Sequence, residues 1–353
     1  MAGLRVLSWP GYGAAHNPFV TQFLDGLAAA GCQVHSAETV EDIATAPAVD
    51  IVLLHWAERV FAEARGRGEI PVKMRRLLRA LDRHRGRHRD RQGADTKVVW
   101  LAHNLAPHNA RRLARLLWPP YIRRLIRRVD GVMTLSPGTL DVVREAYPAL
   151  AGRPGIGLWH PTYDGAALSA AERAAARGAQ GWNDGHRVLG YCGQIRPYKG
   201  GEDLLRVFRQ TPGADLRLLL AGIAAPDYAT HLRAMAKDDT RITLMFKDLP
   251  PADYRAALGA CDVVAAPLRS YLHSGSILHA LSAERPVLTP RTAFSTPLGA
   301  QLGPEWMHLY DGALTPDHLL NAARAPRPAG PPDLTDMTTQ KVAAQAAEFF
   351  RAL

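Results

Sequence analysis

The sequence predicts two α/β domains in tandem, each a parallel sheet covered by helices on both faces. Three observations carry that prediction. The chain has 353 residues, too many for one ordinary core and comfortable for two. Short, near-continuously apolar runs alternate with longer helical stretches, as strands buried on both faces and joined by crossover helices must. The alternation stops, then restarts after residue 186.

The first series opens with LRVLS (4–8), a glycine loop and a helix from about Asn17 to Ala30. DIVLLHW (50–56), KVVWLAH (97–103) and GVMTLS (131–136) read as further buried strands. Residues 151–186, rich in Gly, Ala and Asp, separate the two series and place a first domain at 1–160 and a second at 161–335. In the second, RVLGYCG (187–193), LRLLLAG (216–222), RITLMF (241–246), DVVAAP (262–267) and RPVLTP (285–290) are strands. A proline-rich connector, RAPRPAGPPD (324–333), precedes a helical pattern over 336–353.

Composition bounds the setting. Apolar residues at 47% and charged residues at 22% suit a water-soluble globular chain. Cys32, Cys192 and Cys261 match no zinc spacing and no disulfide framework, which points to a reducing cytoplasm. The start MAGLRVLSW is too short and mixed for a signal peptide, and no apolar run approaches the roughly 20 residues of a membrane span. The formal net charge of +10 is uneven: residues 1–150 hold 22 Lys and Arg against 14 Asp and Glu, residues 151–353 hold 21 against 19. An anionic partner should therefore meet the first half.

Ligands of such sheets bind beyond the carboxyl ends of the strands, so the loops there carry the chemistry. YCGQIRPYKGG (191–201) runs from a strand through Gly193 and Gln194 into a helix, with Arg196 and Lys199 three residues apart. An arginine fork and a lysine point charge beside a helix start suit a phosphate. Taken alone, the pair reads as solvated loop charges. A second loop on the same rim, LRSYLHSGSILHAL (268–281), offers Ser274 as a helix cap and small residues at Gly275 and Ser276 that admit a phosphate to backbone amides. Two anion-ready loops on one rim suggest a diphosphate.

In the first domain Gly11 and Gly13 follow the first strand without the third glycine of a dinucleotide fingerprint. His16, where this loop meets the helix, suits a base near neutral pH or a structural cap. His55 and Glu58 end the third strand, and His103, Asn104 and His108 follow the next. Their spacings match no zinc motif, which favours hydroxyl recognition and acid–base work over metal.

Together NPF (17–19), HWAE (55–58), HNLAPH (103–108), GQIRPYKG (193–200) and HSGSILHALSAERPVLTP (273–290) resemble the GT-B glycosyltransferases over nearly the whole chain. The likeness is strongest toward bacterial enzymes of exopolysaccharide synthesis, including xanthan-type GDP-mannose:glycolipid β-mannosyltransferases. The resemblance implies two Rossmann-like domains facing a cleft, the acceptor bound by the first (Gly11, Gly13, Asn17 and Asn104 on that side) and the nucleotide sugar by the second. It implies that Arg196 and Lys199 hold the donor diphosphate with Gly193, Gln194, Ser274, Gly275 and Ser276. It implies that 246–267 borders the base, that His103 lies near the donor sugar, and that the last helix crosses back to the first domain.

One departure matters. Retaining GT-B enzymes carry two glutamates eight residues apart in the last donor loop, where this sequence has Tyr271 and His279. Inversion is the expectation, with a base in the first domain, His16 first and Glu58 second. Arg196 and Lys199 can neutralise the departing nucleoside diphosphate, so neither a metal nor a further cofactor is required. The donor is then GDP-mannose or a UDP-sugar and the acceptor a glycolipid or polysaccharide hydroxyl. The alternatives are another nucleotide-sugar enzyme of this fold and a non-catalytic nucleotide-sugar-binding protein.

Residues 65–91 hold 11 Lys and Arg against 3 acids, and residues 111–128 hold 7 arginines and no acid. Leu113, Leu116, Leu117, Trp118, Tyr121, Ile122 and Leu125 are interleaved in the latter. The mixture suits an anionic membrane surface or helices packed on the core. With no nucleic-acid motif in the chain, no nucleic-acid partner is expected. A lipid-linked acceptor would place the protein on the inner face of the plasma membrane.

Overall fold

The computed structural model describes residues 3–13, 18–64, 66–87, 95–107, 112–268 and 271–353. The chain divides into two compact units, residues 1–161 with 335–353, and residues 162–334.

The first unit is a six-stranded sheet, all of its pairs parallel, built from β1 (Arg5–Trp9), β2 (Gln33–Ser36), β3 (Ile51–Leu54), β4 (Lys97–Leu101), β5 (Gly131–Thr134) and β6 (Gly155–Gly157). The spatial order is β2-β1-β3-β4-β5-β6. Strands β3 and β5 are buried along their whole length, as their apolar runs require. The order reverses between β1 and β3, so the carboxyl ends of those strands splay a crevice.

The second unit repeats the design with β7 (Arg187–Cys192), β8 (Leu216–Ala221), β9 (Ile242–Met245), β10 (Val263–Ala265), β11 (Val287–Pro290) and β12 (Met307–Tyr310). Its order is β12-β11-β10-β7-β8-β9, again parallel, with the reversal between β7 and β10. The sequence reading finds nine of these twelve strands. The three it misses, β2, β6 and β12, are all sheet edges. An edge strand is covered on fewer sides, so QVHS and GIG carry no apolar run to betray them.

The last helix, Thr339–Arg351, belongs to the first unit. Val342, Ala343, Ala346, Ala347 and Phe350 join one buried core with Phe19, Val20, Phe23, Leu24 and Leu27 of the helix Pro18–Ala29. The two backbones approach closely: a Cβ on Gly26 would stand 2.7 Å from the Ala343 Cβ.

Candidate active site

The two loops at the β7/β10 reversal converge. After β7 the chain turns at Gly193 (φ +125°), pairs Ile195 with Ala224, and makes a short turn over Pro197–Lys199 that closes on Gly200 (φ +78°). A Cβ on Gly200 would lie 2.2 Å from the Pro267 carbonyl oxygen, so only glycine lets this loop lean on the segment leaving β10. One small cavity results, lined by Tyr191, Gln194, Lys199, Leu268 and Ser276. The predicted rim residues Gln194, Lys199 and Ser276 therefore share a wall. The Tyr191 hydroxyl, also on it, is buried with no hydrogen-bond partner among the described residues.

Arg196 and Lys199 are both half-buried, and neither forms an ion pair with a described residue. Burial, and then the neighbouring Arg196, push the Lys199 ammonium down to about 8. Two adjoining cations with no carboxylate between them are held against their own repulsion, which a bound anion relieves. The following helix, Gly201–Gln210, opens with Glu202 and Asp203 in its first turn. Those acids offset its N-terminal dipole, so the positive field comes from the two side chains rather than the helix.

Ser274 caps the helix Gly275–Ser282, its Oγ accepting from the Ile277 amide at 3.4 Å and lying 3.0 Å from Ser276 Oγ. Ser274 thus serves the helix, and Ser276 faces the cavity. His279 is stacked on Tyr163 (centroids 4.4 Å apart) and against Tyr254 (4.9 Å). Burial lowers its pKa to about 4, so it is a neutral ring held between two aromatics. The Tyr271 hydroxyl is engaged with Thr289 at 3.2 Å and Thr292 at 3.4 Å. Neither position offers an ionised group where a glutamate would stand.

In the first unit, a hydrogen-bonded chain crosses the carboxyl ends of β1, β3 and β4. Ser8 Oγ donates to the Pro10 carbonyl at 2.8 Å, so it can only accept from His55 Nε2 at 3.1 Å. The His55 proton therefore sits on Nε2. Full burial drives the His55 pKa to about 3 and keeps the ring neutral, leaving Nδ1 to accept from His103 Nε2 at 3.2 Å. His103 therefore carries a proton on Nε2. Trp56 stacks on the His103 ring at 4.2 Å, and Phe19 meets His55, His103 and His160 at 5.0–6.0 Å. Phe19 is the residue that NPF contributes.

Beside this chain, Asn104 Nδ2 donates to Glu58 Oε1 at 2.5 Å. Burial raises the Glu58 carboxyl to about 7 against the lowering effect of that bond. A carboxyl half-ionised near neutrality is suited to taking a proton.

Gly11 and Gly13 answer a packing demand. The Tyr12 and Gly13 amides donate to Ser36 Oγ at 2.9 Å and Glu38 Oε1 at 2.8 Å, and a Cβ on Gly11 would meet Ser36 Oγ at 1.7 Å. The Gly11, Tyr12 and Gly13 amides are thus spent within the unit, on the Ala37 carbonyl, Ser36 Oγ and Glu38 Oε1. His16, Asn17 and His108 lie outside the described residues. Sequence reading missed Ser8, Tyr163, Tyr191 and Tyr254. Their signal was position alone, at or just beyond strand ends or on flanking helices, with no motif to mark them.

Residues 186–301 match the family described as Glycosyl transferases group 1. The chain is 28% identical over 327 residues to a GDP-mannose:glycolipid 4-beta-D-mannosyltransferase of Xanthomonas campestris, covering 90% of this chain and 83% of that protein. Its fold is that of Anabaena HepE, solved with UDP and glucose (TM-score 0.62, 14% identity, 98% and 95% of the two chains). Sucrose-phosphate synthase of Thermosynechococcus elongatus is similar to the same degree (TM-score 0.62, 15% identity, 99% and 94%). The chain has the GT-B fold, and its second unit carries a glycosyltransferase group 1 domain. The matched stretch contains both loops at the β7/β10 reversal.

Proposed function

We propose that this glycosyltransferase moves a mannosyl group from GDP-mannose to a hydroxyl of a lipid-linked glycan, with inversion, in the assembly of an exported polysaccharide. The observation that carries the reading is the Arg196–Lys199 pair: two adjoining cations without a carboxylate, at the strand reversal of the unit that matches the family. The GDP donor and glycolipid acceptor follow the Xanthomonas relative, and a UDP-sugar is the competing donor. A β-linked product from an α-linked nucleotide sugar requires inversion. The absence of a carboxylate at Tyr271 and His279 supports it.

In this reaction Glu58 takes the acceptor hydroxyl proton as that oxygen attacks the anomeric carbon. The bond from that carbon to the β-phosphate oxygen breaks, and the electron pair leaves with the nucleoside diphosphate. Arg196 and Lys199 meet the charge that develops on it. Asn104 orients the Glu58 carboxylate. His103, held at Nε2 through His55 and Ser8, stands beside the donor sugar in this reaction.

A lipid-linked acceptor calls for a membrane-facing surface. In the helix Arg112–Ile126 the aromatic and branched residues Trp118, Tyr121, Ile122 and Leu125 are core, so they do not serve a membrane. The exposed face keeps Arg112, Arg123 and Arg124 around Leu116, which is 66% exposed. We assign to it an electrostatic contact with anionic lipid at the inner face of the plasma membrane, with one apolar residue inserted. Part of the other basic segment is neutralised: Lys73 and Arg76 pair with Glu41, and Arg85 with Asp130.

The test is sugar transfer from labelled GDP-mannose and UDP-glucose to a lipid extract, with donor affinity measured beside it. Lys199→Ala should weaken nucleotide-diphosphate binding about tenfold or more, the scale of a lost charge-assisted bond. Unchanged affinity in a folded variant would remove Lys199 from the donor site. Transfer from UDP-glucose alone would replace the donor.

A further inference from the structure

The second unit has a larger cavity at its other edge, about 290 Å³, where β7, β10, β11 and β12 begin. Strand β7 is six residues long, so this cavity lies about 20 Å from the diphosphate loops along the sheet. Neither the transfer reaction nor the relatives' names give it a role.

Its electrostatics are unbalanced. Arg173, Arg187, Arg285 and Arg327 line it with only Asp262 and Glu284 as acids. The Asp262 carboxylate is fully engaged. Oδ1 accepts from Arg173 (2.7 Å) and Arg327 (2.9 Å), and Oδ2 from Arg177 (3.1 Å) and the Val188 amide (2.8 Å). Among the described residues the Arg285 guanidinium bonds only to the Ala283 and Cys261 carbonyls, at 3.0 and 3.3 Å. The Arg187 guanidinium has no hydrogen bond or ion pair among the described residues. Burial lowers both Arg285 and Arg173 below the usual guanidinium range, as expected for cations crowded out of water. The space equals roughly ten waters at about 30 Å³ each, more than a bare inorganic ion fills. The buried indole of Trp306 and the connector prolines Pro326 and Pro328 supply an apolar wall.

We propose that this cavity is a second ligand site, which binds a small phosphomonoester of sugar-phosphate size. Arg187 and Arg285 hold the phosphate by their planar forks, and the organic body lies between Trp306 and the connector. Because residues 325–331 form one wall, the ligand orders the segment that leads to the returning helix.

The experiment uses the full chain carrying Lys199→Ala, so that the diphosphate site does not report. Glucose 1-phosphate and inorganic pyrophosphate are titrated at constant ionic strength. Binding is followed by calorimetry, and amide hydrogen exchange is followed over 325–331. The expected result is saturable binding with slowed exchange in that segment, and about tenfold weaker binding on adding Arg187→Gln. The Arg187 guanidinium makes no hydrogen bond or ion pair among the described residues, so this variant should keep its fold; Arg285→Gln is the second variant. Binding that disappears with Lys199→Ala, or binding that leaves 325–331 unprotected and ignores Arg187→Gln, would overturn the proposal. Either result would leave the transferase reading standing.

Discussion

Glu58 and Lys199 are displaced toward neutrality from opposite sides by one cause, burial. The consequence for pH is direct. Glu58 is a base only above about 7, and Lys199 a full cation only below about 8. The donor-dependent kcat/KM should therefore rise through about 7 and fall above about 8. In kcat the upper limb should move to higher pH, because a bound diphosphate raises the lysine again. Glu58→Gln should lower kcat by about 10²–10⁴-fold and abolish the lower limb; a persistent limb near 7 would assign the base elsewhere. Much of this was legible as residue types: Arg196, Lys199, Glu58 and His103 all stand at strand ends. What could not be read was their state. No spacing tells that Glu38 occupies the Gly13 amide, or that two tyrosines clasp His279, because both depend on neighbours distant in sequence.

At the scale of elements, apolar runs located the central strands because those strands are covered on both faces, and missed three of the four edges, where cover is thinner; only β9 betrays itself by its apolar run. The helix pair Pro18–Ala29 and Thr339–Arg351 makes a sharper case. Its closest approach is alanine against glycine, small residues that carry little hydrophobic signal yet let the backbones close. Gly26→Leu should cost about 1–3 kcal/mol by overpacking, read as a lower denaturant midpoint, and should speed hydrogen exchange over 339–351. A neutral result would mean that the helices can separate at no cost. The same helix carries Phe19 into the histidine cluster, so its displacement should also disturb the Ser8–His55–His103 chain.

For the whole molecule, charge asymmetry predicts behaviour at a surface. The first 150 residues hold most of the excess positive charge, and part of it is exposed on the helix Arg112–Ile126. Sedimentation with vesicles containing anionic lipid should capture the protein at low salt and release it as ionic strength rises. Replacing Arg123 and Arg124 by Glu should reduce capture several-fold while leaving donor affinity unchanged. Capture by neutral vesicles to the same extent would reject the electrostatic contact. No described helix is long and apolar enough to cross a bilayer.

The first unit is closed by residues 335–353, which are joined to it only through the second. During synthesis, a ribosome that has finished residue 161 has not finished the first unit: its core still lacks Val342, Ala346 and Phe350. The second unit, uninterrupted from 162 to 334, can complete its core while the earlier one waits. The order of manufacture and the order of maturation are therefore reversed, and a nascent chain stalled before its last helix exposes the opening half to quality control.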